Sequence, residues 1–196
     1  MKENNEATWR IIPAATPAII KQCSKCNCKS KYYCSEKFRV NANQSRVDIW
    51  LIYKCHKCDS TWKLAIKKGI KPRDLPPGLF DRFVNNDSSL AWQYAFDKHF
   101  LKQHSCVIDY SIDYTVEGHV PHNGPQLIHI QIPYIFDLKL GALLAKVLRT
   151  TVGQVRKHVE KGDISINPQV DIMKHRIKSD ISGLLIARNI CYNIET

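Results

Sequence analysis

The chain has 196 residues, 44% of them hydrophobic, eight cysteines and a formal net charge of +11. That apolar share is enough to build real cores, which excludes a disordered polybasic tail. No apolar signal core opens MKENNEATWR, and the longest uncharged stretch, residues 118–136, carries three His and three Pro, so we expect a cytoplasmic protein that does not cross a membrane.

The charge is unevenly spread. Residues 1–72 hold fifteen Lys/Arg against five Asp/Glu, residues 73–136 four against seven, and residues 137–196 ten against six. Basic ends around an acidic middle suit attraction to a polyanion, although four metal-bound thiolates would lower the total to about +9.

Six cysteines, Cys23, Cys26, Cys28, Cys34, Cys55 and Cys58, fall in the first 58 residues, and without an export signal they do not read as a disulfide framework. Between the two groups, residues 36–41 and 46–53 are rich in Val, Ile, Phe, Trp and Tyr and flank a turn, which predicts a hairpin. Residues 61–66 supply a third strand. The run Gly69-Ile-Lys-Pro-Arg-Asp-Leu-Pro-Pro-Gly78 contains three prolines and ends this first segment, 1–70.

Ser88-Ser89 caps an expected helix reaching about residue 103, with a broad apolar side. From Cys106 to Val116 apolar and polar residues alternate, and the same period returns over residues 126–136, so these runs are expected to pair antiparallel in a middle segment, 71–136. Residues 138–148 and 151–161 read as two short helices closed by Gly162, followed by strand-like residues 164–166 and 178–187, in a last segment, 137–196.

The strongest chemical signal is Cys23-x-x-Cys26 followed by Cys55-x-x-Cys58. Two residues between cysteines let a tight turn aim both sulfurs at one ion, and two such turns complete a tetrahedral zinc set. Cys28 and Cys34 lie close in sequence and could replace a ligand; we read both as non-ligands, Cys34 as a small buried side chain. Four cysteines leave no open position for a catalytic water. The module, roughly residues 20–67, resembles a rubredoxin-like zinc ribbon. Its lysines, with Tyr32, Tyr33, Trp50 and Trp62, suit phosphate contact and base stacking, while for Trp50 and Trp62 packing in a small core is the expectation.

The second informative stretch is Leu138-Lys-Leu-Gly-Ala-Leu-Leu-Ala-Lys-Val-Leu-Arg-Thr-Thr-Val-Gly-Gln-Val-Arg-Lys-His-Val-Glu-Lys-Gly-Asp-Ile-Ser-Ile-Asn167. It resembles the small RNA-binding module first seen in ribosomal small-subunit protein four and also found in pseudouridine synthases and tyrosyl-tRNA synthetases. Leu143, Leu144, Thr151, Val155, Val159, Gly162 and Ile164-Ser-Ile-Asn167 fall in the matching places. Gly141, Val152 and Pro168 stand where that pattern has Asp, Arg and Gly. The resemblance implies RNA contacts from Lys139, Lys146, Arg149, Thr151, Gln154, Arg156 and Lys157. A helix-turn-helix accounts for the same residues differently, with Ala145, Arg149 and Val155 at its structural positions and the second helix in a major groove.

Nothing supports a reaction. No Gly-rich nucleotide loop, paired-histidine metalloprotease motif or serine elbow is present. His99, His104, His119, His122 and His129 read as surface histidines, and Asp109 and Asp113 as a solvated strand face. Over nearly its whole length, on Lys37-Phe-Arg-Val-Asn-Ala-Asn-Gln44, Trp50-Leu-Ile-Tyr-Lys-Cys55 and Asp59-Ser-Thr-Trp62, the chain resembles a bacterial family of unknown activity.

The expectation is therefore an α+β protein: an N-terminal zinc ribbon, a middle helix with an antiparallel hairpin, and a C-terminal two-helix module of RNA-binding type. Its expected cofactor is Zn2+ and its expected partner nucleic acid, RNA rather than DNA, with no membrane, small-molecule substrate or enzymatic activity. A DNA-binding transcription factor and a protein-docking adaptor are the alternatives.

Overall fold

A computed structural model describes residues 6–43, 45–118, 126–187 and 190. The chain divides into two compact units: residues 1–14 with 113–196, and residues 15–112.

The second unit is a five-stranded antiparallel sheet in the order β5-β4-β3-β2-β6, formed by β2 (Ala18–Cys23), β3 (Cys28–Asn43), β4 (Arg46–Cys55), β5 (Thr61–Ile70) and β6 (Val107–Asp109). Alternation in β4 decides what each face does. Val47, Ile49, Leu51, Tyr53 and Cys55 are buried, whereas Asp48, Trp50, Ile52 and Lys54 between them are half-exposed. The buried face joins Phe83, Leu90, Ala91, Ala95 and Leu101 of three short helices, α1 (Leu79–Val84), α2 (Ser88–Phe96) and α3 (Lys98–Gln103), in one core. Phe38, Phe83 and Tyr94 meet there, with ring centroids 5.0 Å apart for Phe38–Phe83.

The helix expected over residues 88–103 is two helices. Asp87 caps the first by accepting from the Leu90 amide, and Asp97 breaks the run and caps the second by accepting from the Phe100 amide. The strand expected over 106–116 is also two: β6 belongs to this unit, whereas β7 (Tyr114–Glu117) belongs to the other.

The first unit is a mixed sheet in the order β7-β1-β8-β10-β9. Its strand β1 (Glu6–Pro13) pairs antiparallel with β7 and parallel with β8 (Gln126–Gln131). The runs expected to pair with each other are thus separated by an N-terminal strand, whose Trp9 and Ile11 are fully buried. Helices α4 (Leu140–Val147) and α5 (Val152–Glu160) lead into β9 (Ile164–Ile166) and β10 (Ile181–Ile186), and β10 joins β8 to β9. At Gly183, where φ is +86°, a Cβ would lie 2.6 Å from the Asn167 carbonyl oxygen, so the bulged β10 takes glycine there.

The expected fold class is corrected by these sheets. Of the described residues 42% are in strands and 24% in helices. The N-terminal element is not a small zinc ribbon, because β3 runs for sixteen residues and β4 and β5 for ten each, long enough to need helices on one face. Nor is the C-terminal part a two-helix module, since its helices are bound to a five-stranded sheet through β9 and β10. Among the described residues no helix is long and apolar enough to cross a membrane.

Candidate metal centre and basic surfaces

Each Cys-x-x-Cys turn closes one end of a hairpin. Cys23 ends β2 and Cys26 lies in the turn to β3; Cys55 ends β4 and Cys58 lies in the turn to β5. The residue after the second cysteine of each turn is left-handed, Asn27 at φ 51° and Asp59 at φ 55°. Asn and Asp tolerate that conformation better than most side chains, which lets the chain double back with both sulfurs on the inside. The Cys26 amide donates to Cys23 Sγ at 3.4 Å, as a thiolate at such a turn requires.

These turns gather Cys23, Cys26, Cys55 and Cys58, the four expected ligands, with all four sulfurs within 4.8 Å of one another. The Cys23–Cys58 and Cys26–Cys55 distances are 3.7 and 4.0 Å. A disulfide needs sulfurs at about 2.05 Å. Metal–thiolate bonds of about 2.3 Å at tetrahedral angles place sulfurs about 3.8 Å apart. The donor set therefore fits a tetrahedral ion, and the four cysteines could hold one.

Surrounding hydroxyls complete the site. Ser60 Oγ is 3.3 Å from Cys23 Sγ and 3.2 Å from Cys58 Sγ, and Ser30 Oγ is 3.2 Å from Cys55 Sγ. Hydrogen bonding from Ser60, then Tyr32, brings the Cys23 thiol down to about 5, and Ser30 lowers Cys55. Cys26 is pushed up to about 12, first by its bond to Cys58 and then by burial. A thiolate beside a protonated neighbour is what crowded thiols adopt without a cation, and a divalent ion admits all four as thiolates. Ser30 and Ser60 had no signal of their own in the sequence beyond their nearness to the cysteines, and Tyr32, expected to suit base stacking, is buried beside the site instead.

Cys28 and Cys34 stand outside this cluster. Cys28 Sγ accepts from Lys57 Nζ at 3.3 Å. Cys34 is buried, and desolvation pushes its thiol up to about 12.

The aromatics expected to pack divide between the two faces of the sheet. Trp62 lies against Tyr53 and Tyr32, with Lys21 Nζ 4.6 Å from its ring centroid. Trp50 does not enter that core: it stands half-exposed on the opposite face.

The residues expected to contact nucleic acid lie on α4, α5 and their connection. Arg149, Arg156 and Lys157 are exposed, and among the described residues none forms an ion pair. Lys146 is exposed but occupied, donating to the Tyr114 carbonyl with its ammonium 4.0 Å from the Tyr114 ring centroid. Thr151 and Gln154 form a reciprocal cap on α5: Thr151 Oγ1 accepts from the Gln154 amide, and Gln154 Oε1 accepts from the Thr151 amide, both at 3.2 Å. Lys139 is exposed at the start of α4, and its backbone forms an isolated antiparallel β-bridge with that of Arg176. That bridge reveals a basic rim passed over in the sequence, where Lys174, His175, Arg176 and Lys178 line a surface depression of 350 Å³. The run Lys174-His-Arg-Ile-Lys178 was its signal. Arg176 pairs with Asp137, and Lys174 with Asp171 at 3.5 Å.

Among the described residues, the histidines and aspartates singled out in the middle segment form no metal-binding group. Asp109 pairs with Lys31 at 2.7 Å on β6, and Asp113 belongs to the other unit. His129 faces Glu6 at 3.8 Å, and His99 bonds Gln103. His119 and His122 lie outside the described residues.

No curated protein and no solved structure matches the chain. Residues 40–170, spanning β4, the three short helices and the α4–α5 pair, match a family described as "Protein of unknown function (DUF1062)", and the chain belongs to that family.

Proposed function

We propose that this is a non-enzymatic, cytoplasmic RNA-binding protein whose four-cysteine centre carries a structural Zn2+. The observation that carries the RNA reading is the exposure of Arg149, Arg156 and Lys157 around a capped helix with no ion pair among the described residues. Cations left free of carboxylates are available to phosphates, and helix N-termini add to that attraction. The sequence likeness of residues 138–167 to an RNA-binding module favours structured RNA over duplex DNA. For the metal, a set of four thiolates suits zinc and gives water no position to react from.

Filter binding of an RNA hairpin, a DNA duplex and heparin at two salt concentrations tests the first part. The hairpin is expected to bind best, with salt sensitivity that falls when Arg149, Arg156 and Lys157 are all changed to Gln. Equal binding of duplex DNA, or a triple variant that binds the hairpin like the parent, rejects it.

A further inference from the structure

The face of the second unit's sheet opposite its core carries a pattern that the helix pair does not explain. Trp50 is paired across β3 and β5 with Arg39 and Ala65, Ile52 with Lys63, and Lys54 with Tyr33 and Thr61. Tyr33 is 40% exposed, and Arg39 and Lys63 are exposed as well. Lys63 Nζ lies 5.8 Å from the Trp50 ring centroid. Trp50, Ile52, Tyr33 and Ile20 all stay out of the unit's core, which α1, α2 and α3 cover on the other side.

Three cations on this face, Arg39, Lys54 and Lys63, are left without a carboxylate partner among the described residues. The neighbouring carboxylates are engaged: Asp48 accepts from the Gly69 amide at 2.7 Å, Asp59 from the Tyr33 hydroxyl at 2.7 Å, and Asp109 pairs with Lys31. Trp50 and Tyr33 sit about four residues apart along the ladder, or about 13 Å, enough to take separate bases of one strand. Aromatic rings between unpaired cations on an open sheet favour a chain of stackable rings joined by phosphates over an acidic peptide, which offers charge without rings.

We infer that this face binds an unpaired RNA segment, with Trp50 and Tyr33 stacking on bases and Arg39, Lys54 and Lys63 meeting the phosphates. The choice of RNA rests on the reading of the helix pair above; the stacking surface itself does not. In duplex-rich RNA the bases are hidden, so the two surfaces would take different parts of one molecule.

Fluorescence anisotropy of a labelled uridine dodecamer with the full chain tests this. Trp50→Ala is expected to weaken binding by about five-fold or more, and Trp50→Phe to recover most of it. Arg39→Gln and Lys63→Gln, both at exposed positions, are each expected to lower the salt slope by about 0.7. The Arg149, Arg156 and Lys157 triple variant should lose more affinity for the hairpin than for the dodecamer. If Trp50→Ala and both Gln variants bind like the parent, or heparin competes as well against Trp50→Ala as against the parent, the inference is wrong; a thymidine dodecamer binding equally well overturns the assignment to RNA. A parent that binds the dodecamer but not the hairpin would reject the helix-pair reading and leave this one standing.

Discussion

Changing Cys55 and Cys58 together to Ser removes one complete turn from the metal centre. The sulfur separations of 3.7 and 4.0 Å match the edge of about 3.8 Å expected for a tetrahedral zinc–thiolate set, so the parent should carry one zinc and the variant none. The structural cost is large on the scale of a domain. Apparent binding free energies of structural zinc are about 10–16 kcal/mol, against a total folding stability of about 5–15 kcal/mol. The ion would tie the β2–β3 turn to the β4–β5 turn, so its loss should loosen the second unit and leave the first, held by Trp9, Ile128, Ile130 and Leu184, intact. Native mass spectrometry reads the metal, and elemental analysis separates zinc from iron. Tryptophan emission reads the fold, since Trp50, Trp62 and Trp92 lie in residues 15–112 and Trp9 lies outside them. Cys28→Ser is the control and should keep the zinc. Unchanged zinc in the double variant, or zinc lost in Cys28→Ser, would refute the ligand set.

Tyr53 is fully buried, and among the described residues its hydroxyl has no hydrogen-bond partner, so Tyr53→Phe should leave stability unchanged or raise it by about 1 kcal/mol in urea unfolding; a clear loss would mean the hydroxyl is satisfied. Gly183→Ala puts a Cβ 2.6 Å from the Asn167 carbonyl at φ +86° and should cost the first unit about 2 kcal/mol or more, read as a lower unfolding midpoint. Asp87 is held well below the usual carboxylate range by Arg82, whose Nε donates at 2.7 Å, and by Ser89. Its folded pKa lies below the unfolded value of about 3.9, so its contribution is present above that pH and is lost as pH falls toward the folded pKa. Denaturation from neutral to acid pH should show that loss in the parent and a shallower one in Asp87→Asn. Chelating the metal should weaken the uridine dodecamer more than the RNA hairpin, and equal effects on both would separate the metal from the open face.

How much of this was legible in the sequence depends on the range of each interaction. The four-cysteine cluster was, because Cys23-x-x-Cys26 and Cys55-x-x-Cys58 each encode a local turn whose geometry follows from spacing. The hairpin strands and the α4–α5 pair were legible from alternation and from the Thr151 cap in the same way. Partners distant in sequence were not. Nothing in Glu6–Pro13 announces that it will pair with β7 and β8, more than a hundred residues away. The alternating run from Cys106 to Val116 has one period but serves two sheets, because residues 110–113 leave one unit and enter the other. Trp50 and Trp62 have the same side chain, yet Trp50 has the apolar neighbours Ile49 and Leu51 and Trp62 the polar neighbours Thr61 and Lys63. Parity settles which faces the core: Trp50 falls between Ile49 and Leu51, whose fully buried side chains commit the even positions of β4 to the other face.

That parity also joins the metal to the open face. Cys55 is the last inward residue of β4, so Lys54 beside it must point outward, and Tyr33 opposite Lys54 points outward with it. Tyr33 in turn donates to Asp59, the left-handed residue that follows the ligand Cys58. One end of the open face is thus fixed by the same turn that presents two sulfurs. Trp50, four residues along β4, takes its place from the hydrophobic packing of Ile49 and Leu51 beneath it. Losing an ion held by these cysteines should therefore disturb Tyr33 first and Trp50 less, which would couple the cluster to the proposed binding face.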